Sequence, residues 1–282
     1  MPMYYSNSRR VREPIFPSKI TLKLNIQEKH IFNFLNLSAQ ANYFCDLELE
    51  NLKTLDVEEN NKPRIMTIDL YYLSLSPPSR AVILLTKALG IHLNLKVIDV
   101  SKGEQYKSKF IKVNPQHTVP TIDDNGFILT ESRAIMGYLV DKYAKNDSLY
   151  PKDPKQRGIV DERLYFDLTR LYYNIFNAYI FVAFGMSNSV DDDKVKQIAR
   201  GFEILNTYLE NSEFVAGENL TIADFSIVIS VGLAEIFGFD ITAYDNVVDW
   251  YNRCKEALEK YGYEKVNAPA ELLGEWFRAN SQ

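Results

Sequence analysis

The segment T-V-P-T-I-D-D-N-G-F-I-L, residues 118–129, decides the fold. Its two ends are rich in apolar residues, and Asp124-Asn125-Gly126 lies between them. Asn-Gly between two apolar runs is the strongest short-range signal for a β-hairpin, because both residues of a tight hairpin turn take positive φ angles. The sequence therefore predicts strands over 118–122 and 127–129 that pair antiparallel.

A parallel pair of strands is predicted upstream of this hairpin. Residues 68–73, I-D-L-Y-Y-L, are rich in strand formers, and a second strand is predicted over 93–100. Between them, apolar residues at helical spacing predict a helix over 77–89 with Gly90 as its C-cap. The order strand, helix, strand implies a parallel pair joined by a right-handed crossover.

Two further helices complete this unit. A short helix includes residues 110–112, and a longer one is predicted over 131–143. The resulting βαβ then ββα order is that of a thioredoxin-like α/β domain, which we place at residues 66–146.

The chain beyond this domain has a purely helical pattern. Residues 147–153, D-S-L-Y-P-K-D, form a linker. Helical periodicity then covers five segments, at 154–184, 192–210, 221–237, 244–260 and 269–278. Thr221-x-x-Asp224 resembles a capping box that uses Asp in place of Glu or Gln. The sequence predicts an all-α domain over 154–282.

Residues 1–65 differ from both domains. Prolines occur at positions 2, 14 and 17, and an acidic, Asn-rich stretch covers 56–61. We predict a poorly ordered, largely disordered extension. A transit peptide is the alternative, because the segment is modestly basic up to Lys29.

Composition excludes several classes of protein. The chain has 282 residues and a net charge of -5, which suits two globular domains and gives no reason to expect nucleic-acid binding. Its two cysteines, Cys45 and Cys254, make neither a disulfide framework nor a metal-binding spacing. The longest apolar run, 225–234, is half of the roughly twenty residues that a membrane span needs. We expect a cytoplasmic protein without a bound metal, a membrane segment or a nucleic-acid partner.

The turn between the first strand and the first helix is the first candidate site. Ser76 suits the N-cap position and Pro77 the first helical position. A helix N-terminus stabilises anions, thiolates included, and a serine hydroxyl can donate a hydrogen bond to such an anion. The alternative is that Ser76 only caps its helix.

Two more segments could bind a peptide-like ligand. In N-P-Q-H-T-V-P, residues 114–120, a cis Val119–Pro120 bond would leave the backbone of Val119 free to pair with an extended ligand. In T-E-S-R, residues 130–133, a helix N-terminus with Ser132 and Arg133 suits a carboxylate, and Glu131 suits an ammonium group. The alternatives are a structural turn and an ordinary helix cap.

These segments together resemble the cytosolic glutathione transferases of the insect delta and epsilon classes. The matching stretches are L-S-P-P-S-R-A-V from position 75, N-P-Q-H-T-V-P-T from 114, E-S-R-A-I from 131, Y-L-V-D-K-Y-A from 138 and L-T-I-A-D from 220. The resemblance runs over about residues 66–282 and leaves the extension without a counterpart. It implies a homodimeric enzyme that uses glutathione as co-substrate.

The resemblance implies a role for each matching residue. Ser76 would hydrogen-bond and activate the glutathione sulfur, His117 would contact the glycine end, Val119 would clamp the cysteinyl unit, and Pro120 would be the cis proline. Gln105 stands where many relatives have a histidine, which weakens the expected contact to the glycine carboxylate.

The resemblance assigns the γ-glutamyl end of glutathione to Glu131, Ser132 and Arg133. The second substrate should bind an apolar wall, since aromatic residues are dense between Leu171 and Phe184. Six residues are the candidates for that wall: Leu75, Pro78, Tyr172, Phe176, Tyr179 and Phe237.

Several functions remain open at this point. The leading hypothesis is conjugation of glutathione to hydrophobic electrophiles in detoxification, and the alternatives are isomerisation, peroxide reduction or non-catalytic binding of glutathione or lipophiles. Tyr71 or Tyr72 is a lesser candidate for the partner of the sulfur. A glutaredoxin-like role is disfavoured, because neither cysteine falls at the turn before the first helix.

Overall fold

A computed structural model describes residues 67–281 of the chain. The expectations of a poorly ordered extension or a transit peptide within residues 1–65 lie outside the described residues.

A four-stranded mixed sheet organises the first domain. Its strands are β1 (Ile68–Tyr72), β2 (Leu93–Val97), β3 (Thr121–Asp124) and β4 (Phe127–Thr130), in the spatial order β2-β1-β3-β4. β1 pairs parallel with β2, whereas β1 with β3 and β3 with β4 pair antiparallel. The predicted parallel pair and hairpin are therefore confirmed, although β2 ends at Val97 and β3 begins only at Thr121.

The hairpin turn has the predicted backbone. Asn125 and Gly126 have φ angles of 55° and 94°, and the N–H of Gly126 donates to Oδ1 of Asp123 at 2.7 Å. Two consecutive positive φ angles match the right-handed twist of the flanking strands. In this way the Asn-Gly pair sets the register in which Ile122 lies opposite Leu129.

Three α-helices belong to the described part of the first domain: α1 (Pro77–Leu89), α2 (Ser108–Ile111) and α3 (Ser132–Tyr143). α1 begins after Ser76, whose side chain accepts from the N–H of Ser79, and ends at Gly90 with a φ of 69°. A left-handed residue at that position favours glycine. The predicted caps of α1 are confirmed.

The second domain is entirely helical. Its helices are α4 (Pro154–Phe166), α5 (Tyr173–Ala183), α6 (Asp192–Tyr208), α7 (Ile222–Ile236), α8 (Asp245–Glu259), α9 (Tyr263–Asn267) and α10 (Glu271–Asn280). A π-helical segment, Asp167–Tyr172, joins α4 to α5, so the predicted helix over 154–184 is continuous but contains a wider turn. The short helix α9 was not predicted.

Helix α7 is the centre of the core. Twelve of its fifteen residues are buried, and it packs against α1 and α3 of the first domain and α4 and α8 of the second. Its capping box is present: Asp224 accepts from the N–H of Thr221 at 2.8 Å. The fold is therefore the predicted thioredoxin-like domain followed by an all-helical one. Within residues 67–281 no helix is both long and apolar enough to cross a membrane.

Candidate functional site

A cleft of about 420 Å³ lies between the two domains. The first domain contributes the loop after β1, the segment around Gln105 and the residues just before β3. The second domain contributes one face of α5 and the buried face of α10. The cleft therefore has a polar end at the sheet and an apolar end at the helices.

Ser76 stands at the polar end, at the start of α1. Its N–H donates to the carbonyl of Leu73 at 3.0 Å, and its Oγ accepts from the N–H of Ser79 at 3.4 Å. An Oγ that accepts from the backbone keeps its own proton for another partner. The side chain lines the cleft, so this proton is available to an anion bound there.

The start of α1 is unusual in its backbone donors. Pro77 and Pro78 occupy the first two helical positions and have no N–H, and the N–H of Ser79 is bonded to Ser76. The first turn of this helix therefore offers an anion its dipole but few free backbone N–H groups.

The segment before β3 presents a free peptide to the cleft. The Val119–Pro120 bond is cis, as predicted. Within residues 67–281 neither the N–H nor the C=O of Val119 bonds to another backbone group, although Val119 lines the cleft. The buried Asn114 holds this segment through its Nδ2, which donates to the carbonyl of Thr118 at 2.9 Å. An extended ligand can pair with the backbone of Val119 in this geometry.

Gln105 and His117 complete the polar end. Nε2 of Gln105 donates to the carbonyl of Val100 at 3.4 Å, while its Oε1 is buried without a partner in the described part of the chain. His117 is exposed, has a φ of 47°, and its ring lies 4.9 Å from that of Tyr106. Both residues line the cleft, as the resemblance led us to expect.

The apolar end is built on a row of side chains four residues apart. Tyr172, Phe176, Ile180 and Phe184 all line the cleft. Such spacing places side chains on one face of a helix. Burial raises the pKa of Tyr172 to about 12, so its hydroxyl is neutral near pH 7.

Helix α10 closes the apolar end from the other side. Leu273 and Trp276 line the cleft, and the ring of Trp276 lies 5.9 Å from that of Phe184. These two residues were not among the predicted candidates. Their spacing of three on an amphipathic helix was the only signal in the sequence, and it does not distinguish a core face from a cleft wall.

Comparison with known proteins identifies the family. Residues 66–141 match the model of the glutathione S-transferase N-terminal domain, and residues 172–257 match that of the C-terminal domain. Glutathione S-transferase D7 of Anopheles gambiae is 41% identical over 215 residues, which are 76% of this chain and 98% of that protein. The chain belongs to the glutathione S-transferase family.

Solved structures give the same result. A delta-class glutathione transferase of Nilaparvata lugens is 48% identical with a TM-score of 0.72, over 76% of this chain and 100% of that one. A glutathione transferase homologue of Drosophila mojavensis, solved with bound glutathione, is 31% identical with a TM-score of 0.72, over 77% of this chain and 99% of that one. The chain is thus a glutathione transferase of the insect delta/epsilon type.

The cleft of this glutathione transferase brings together half of the expected site residues. Seven of them line it: Leu75, Ser76, Gln105, His117, Val119, Tyr172 and Phe176. Pro120, the next residue in the chain after Val119, is buried and is not part of the lining. Of the other candidates, Pro78 lies in the first turn of α1, outside the lining of the cleft.

Tyr179 and Phe237 require a correction. Their rings stack with centroids 5.1 Å apart, and the two residues are 5% and 3% exposed. Both rings also contact Phe277. They belong to the core between α5, α7 and α10 and do not line the cleft that the second substrate was expected to enter.

Glu131, Ser132 and Arg133 lie at the start of α3, beside the lining of the cleft rather than in it. Glu131 is exposed with a φ of 66°, and Ser132 is buried. Nη2 of Arg133 forms an ion pair with the buried Asp167, the first residue of the π-helical segment. The charge of Arg133 is thus already paired across the domain boundary, and its binding of a γ-glutamyl group stays a prediction.

Two further expectations concern alternative groups. Tyr71 packs against Phe110 and Tyr72 is buried, and neither lines the cleft, so neither is placed to meet the sulfur of a ligand bound there. Among residues 67–281, no group of three or more His, Cys, Asp or Glu is arranged to hold a metal ion.

Proposed function

We propose that the chain conjugates the thiolate of glutathione to hydrophobic electrophiles, and that the hydroxyl of Ser76 stabilises this thiolate. The observation that supports it most is the position of Ser76, which lines the polar end of a cleft whose opposite end is apolar. The tripeptide would lie along Val119, with its sulfur at Ser76 and its second substrate against Tyr172 and Phe176.

The chemistry follows from the ionisation of a thiol. A free thiol has a pKa of about 8.5, so only a few per cent is thiolate at pH 7. A hydrogen bond to the charged sulfur, together with the dipole of α1, lowers that pKa by about one to two units. The thiolate then forms a bond to the electrophilic carbon, the leaving group departs with its electron pair, and the thiol proton goes to solvent.

The decisive experiment is Ser76→Ala, and Ser79→Ala is its matched control. Ser79 lies on the same turn, and its buried hydroxyl has no partner within the described residues. For Ser76→Ala we expect conjugation of chlorodinitrobenzene to fall at least tenfold and the kinetic pKa of bound glutathione to rise. Ser76→Thr, which keeps a hydroxyl and a helix cap, should restore much of the rate.

Two outcomes would contradict the assignment. An unchanged rate and pKa in Ser76→Ala would remove the role of the hydroxyl. Wild-type protein that binds glutathione but turns over no electrophile would favour a carrier, and faster turnover of peroxides or isomerisable substrates would favour the other enzymatic alternatives.

We also propose that the enzyme is a cytoplasmic homodimer that serves detoxification. The edge strand β4 exposes Phe127 and Ile128, and exposed apolar side chains on a sheet edge favour coverage by a partner. Sedimentation of the full chain should give twice the monomer mass, and Phe127→Asp should shift the protein toward monomer.

A further inference from the structure

Arg80 is a buried cation beside the polar end of the cleft. It is the fourth residue of α1 and is 1% exposed. Its Nε donates to Oδ1 of Asn267 at 3.1 Å, and its Nη1 donates to the carbonyls of Leu75 at 3.1 Å and Ser74 at 3.4 Å. None of the ion pairs within residues 67–281 includes it.

The burial of this charge without a carboxylate partner costs free energy of folding. A buried arginine is ordinarily paired with a carboxylate, because neutral acceptors replace only part of its lost hydration. Burial lowers the pKa of Arg80 to about 10, so the guanidinium still carries its charge near pH 7. The first turn of a helix is also the end where the dipole disfavours a cation.

The position of the charge suggests what the charge is for. Leu75 and Ser76 both line the cleft, and the guanidinium bonds to the carbonyl of Leu75, whose peptide bond leads to the nitrogen of Ser76. The charge therefore stands directly behind the wall at which an anion would meet Ser76. Pro77 and Pro78 have no N–H, so the first two positions of α1 offer an anion no backbone donor. The positive charge of Arg80 supplies favourable electrostatic potential in their place.

We propose that Arg80 is a positioning residue for the thiolate of glutathione: it fixes the Ser74–Leu75 peptides that carry Ser76 into the cleft, and its unpaired charge stabilises the anion bound at Ser76. This inference rests on the proposed function. It also makes Asn267 a part of the site, because α9 of the second domain holds the guanidinium in place.

The groups around Arg80 leave its charge uncompensated in the assay range. Tyr172 and Tyr263 are the titratable side chains that act on it, and burial raises the pKa of both, so they are neutral near pH 7. Helices α3 and α7 also pack on α1. Of their charged groups, the half-buried Arg133 is paired with the carboxylate of the π-helical segment, and the buried Asp224 bonds to groups of the second domain.

The test places a neutralising charge on Arg80 without removing it. Asn267→Asp puts a carboxylate where the amide oxygen now lies, 3.1 Å from Nε of Arg80. Asn267→Ala is the control: both variants lose the bond that Nδ2 of Asn267 donates to the carbonyl of Tyr263, Asn267→Ala also loses the acceptor for Nε of Arg80, and Asn267→Asp alone adds a charge. Circular dichroism and thermal unfolding of the full chain check that both variants fold.

The readout is the pH profile of kcat/KM for chlorodinitrobenzene at saturating glutathione, which reports the pKa of the glutathione bound to the enzyme. We expect the kinetic pKa of Asn267→Asp to lie about half to one unit above that of Asn267→Ala, which is about three- to tenfold less thiolate well below the pKa. A merely structural role changes the rate of both variants and leaves this pKa difference at zero.

Substitution of the arginine gives an independent comparison. Arg80→Lys keeps the charge and Arg80→Gln removes it, so the kinetic pKa should rise in Arg80→Gln and stay within about a third of a unit of the wild-type value in Arg80→Lys. If Arg80→Gln does not fold, the Asn267 pair alone decides.

Equal kinetic pKa values in the two Asn267 variants would overturn the proposal while leaving the proposed function intact. Failure of the proposed function looks different: the wild-type pH profile would then show no thiolate pKa that responds to Ser76→Ala.

Discussion

Replacement of Asp224 should destabilise the fold more than any other single carboxylate change in α7, because four donors converge on it. Asp224 is completely buried. It accepts from the N–H of Val215 at 2.9 Å, the N–H and hydroxyl of Thr221 at 2.8 and 3.1 Å, and Nε1 of Trp250 at 3.0 Å. Asp224→Ala leaves all of these donors without a partner.

The expected magnitude follows from the donors. Each buried donor left without a partner costs about 1–3 kcal/mol, so three N–H groups give about 3–9 kcal/mol. Burial raises the pKa of Asp224 above its ordinary value, although the hydrogen bonds lower it, so the buried charge offsets part of that stabilisation. We therefore expect the lower part of the range, about 3–5 kcal/mol, out of a total stability of about 5–15 kcal/mol.

Urea unfolding at one fixed protein concentration measures this loss. Asp245→Ala is the matched control, because Asp245 also lies in the first turn of a helix of the same domain but is exposed. Its loss should stay within about 0.5 kcal/mol. A loss below about 1 kcal/mol in Asp224→Ala, or equal losses in the two variants, would refute the reasoning.

Three further predictions concern pH, backbone and substrate. Although burial opposes it, hydrogen bonds from Lys142 and two tyrosines hold the pKa of Asp124 well below its usual range. Asp124→Asn should therefore lower the free energy of unfolding by about 2 kcal/mol at pH 7. This difference from wild type should shrink as pH falls below about 4, and thermal unfolding measured across acidic pH checks it. Gly126→Ala should lower the free energy of unfolding by about 1 kcal/mol, because the φ of Gly126 is 94°. Gly158→Ala should raise it by about 0.5–1 kcal/mol, because Gly158 lies on an α-helix with open space around it. Urea unfolding midpoints that move in the same direction in the two variants would contradict this. Phe176→Ala should raise the KM for an apolar electrophile about tenfold and leave the KM for glutathione within about twofold of the wild-type value. Steady-state kinetics with each substrate varied in turn measures both KM values, and an equal change in the two would contradict the prediction.

Much of the first domain could be predicted because its signals are local. Asn125-Gly126 sets its hairpin through two positive φ angles, and Ser76 with Pro77 begins α1 by satisfying the requirements of a helix start. Such signals depend on neighbours within about four residues, so one sequence contains the whole cause.

The walls of the cleft depend on contacts between distant parts of the chain. Tyr179 and Tyr172 are both aromatic, on one helical stretch, and both mostly buried, yet the first packs in the core and the second lines the cleft. Trp276 joins the wall only because α10 packs against α5. A short stretch of sequence does not determine whether such a side chain lies in the core or in the wall of the cleft, because the helix that packs against it decides this.

Charged groups show the same limit. The expectation for Arg133 is that it binds a ligand, and the structure also pairs it with Asp167, which is 34 positions away in the chain. No spacing rule connects the two, because the ion pair exists only after α3 and the π-helical segment have docked. The sequence did not mark Arg80 as a site residue either, because only the structure shows that this cation is buried without a carboxylate partner.

The π-helical segment has a consequence for how the second-substrate wall can evolve. Removing one residue between Asp167 and Tyr172 would rotate the downstream helix by about 100° about its axis. The row Phe176, Ile180 and Phe184 would then swing out of the cleft together. Changes of residue type along this row can alter the shape of the pocket one side chain at a time, whereas a deletion in the wide turn would abolish the whole wall in a single step.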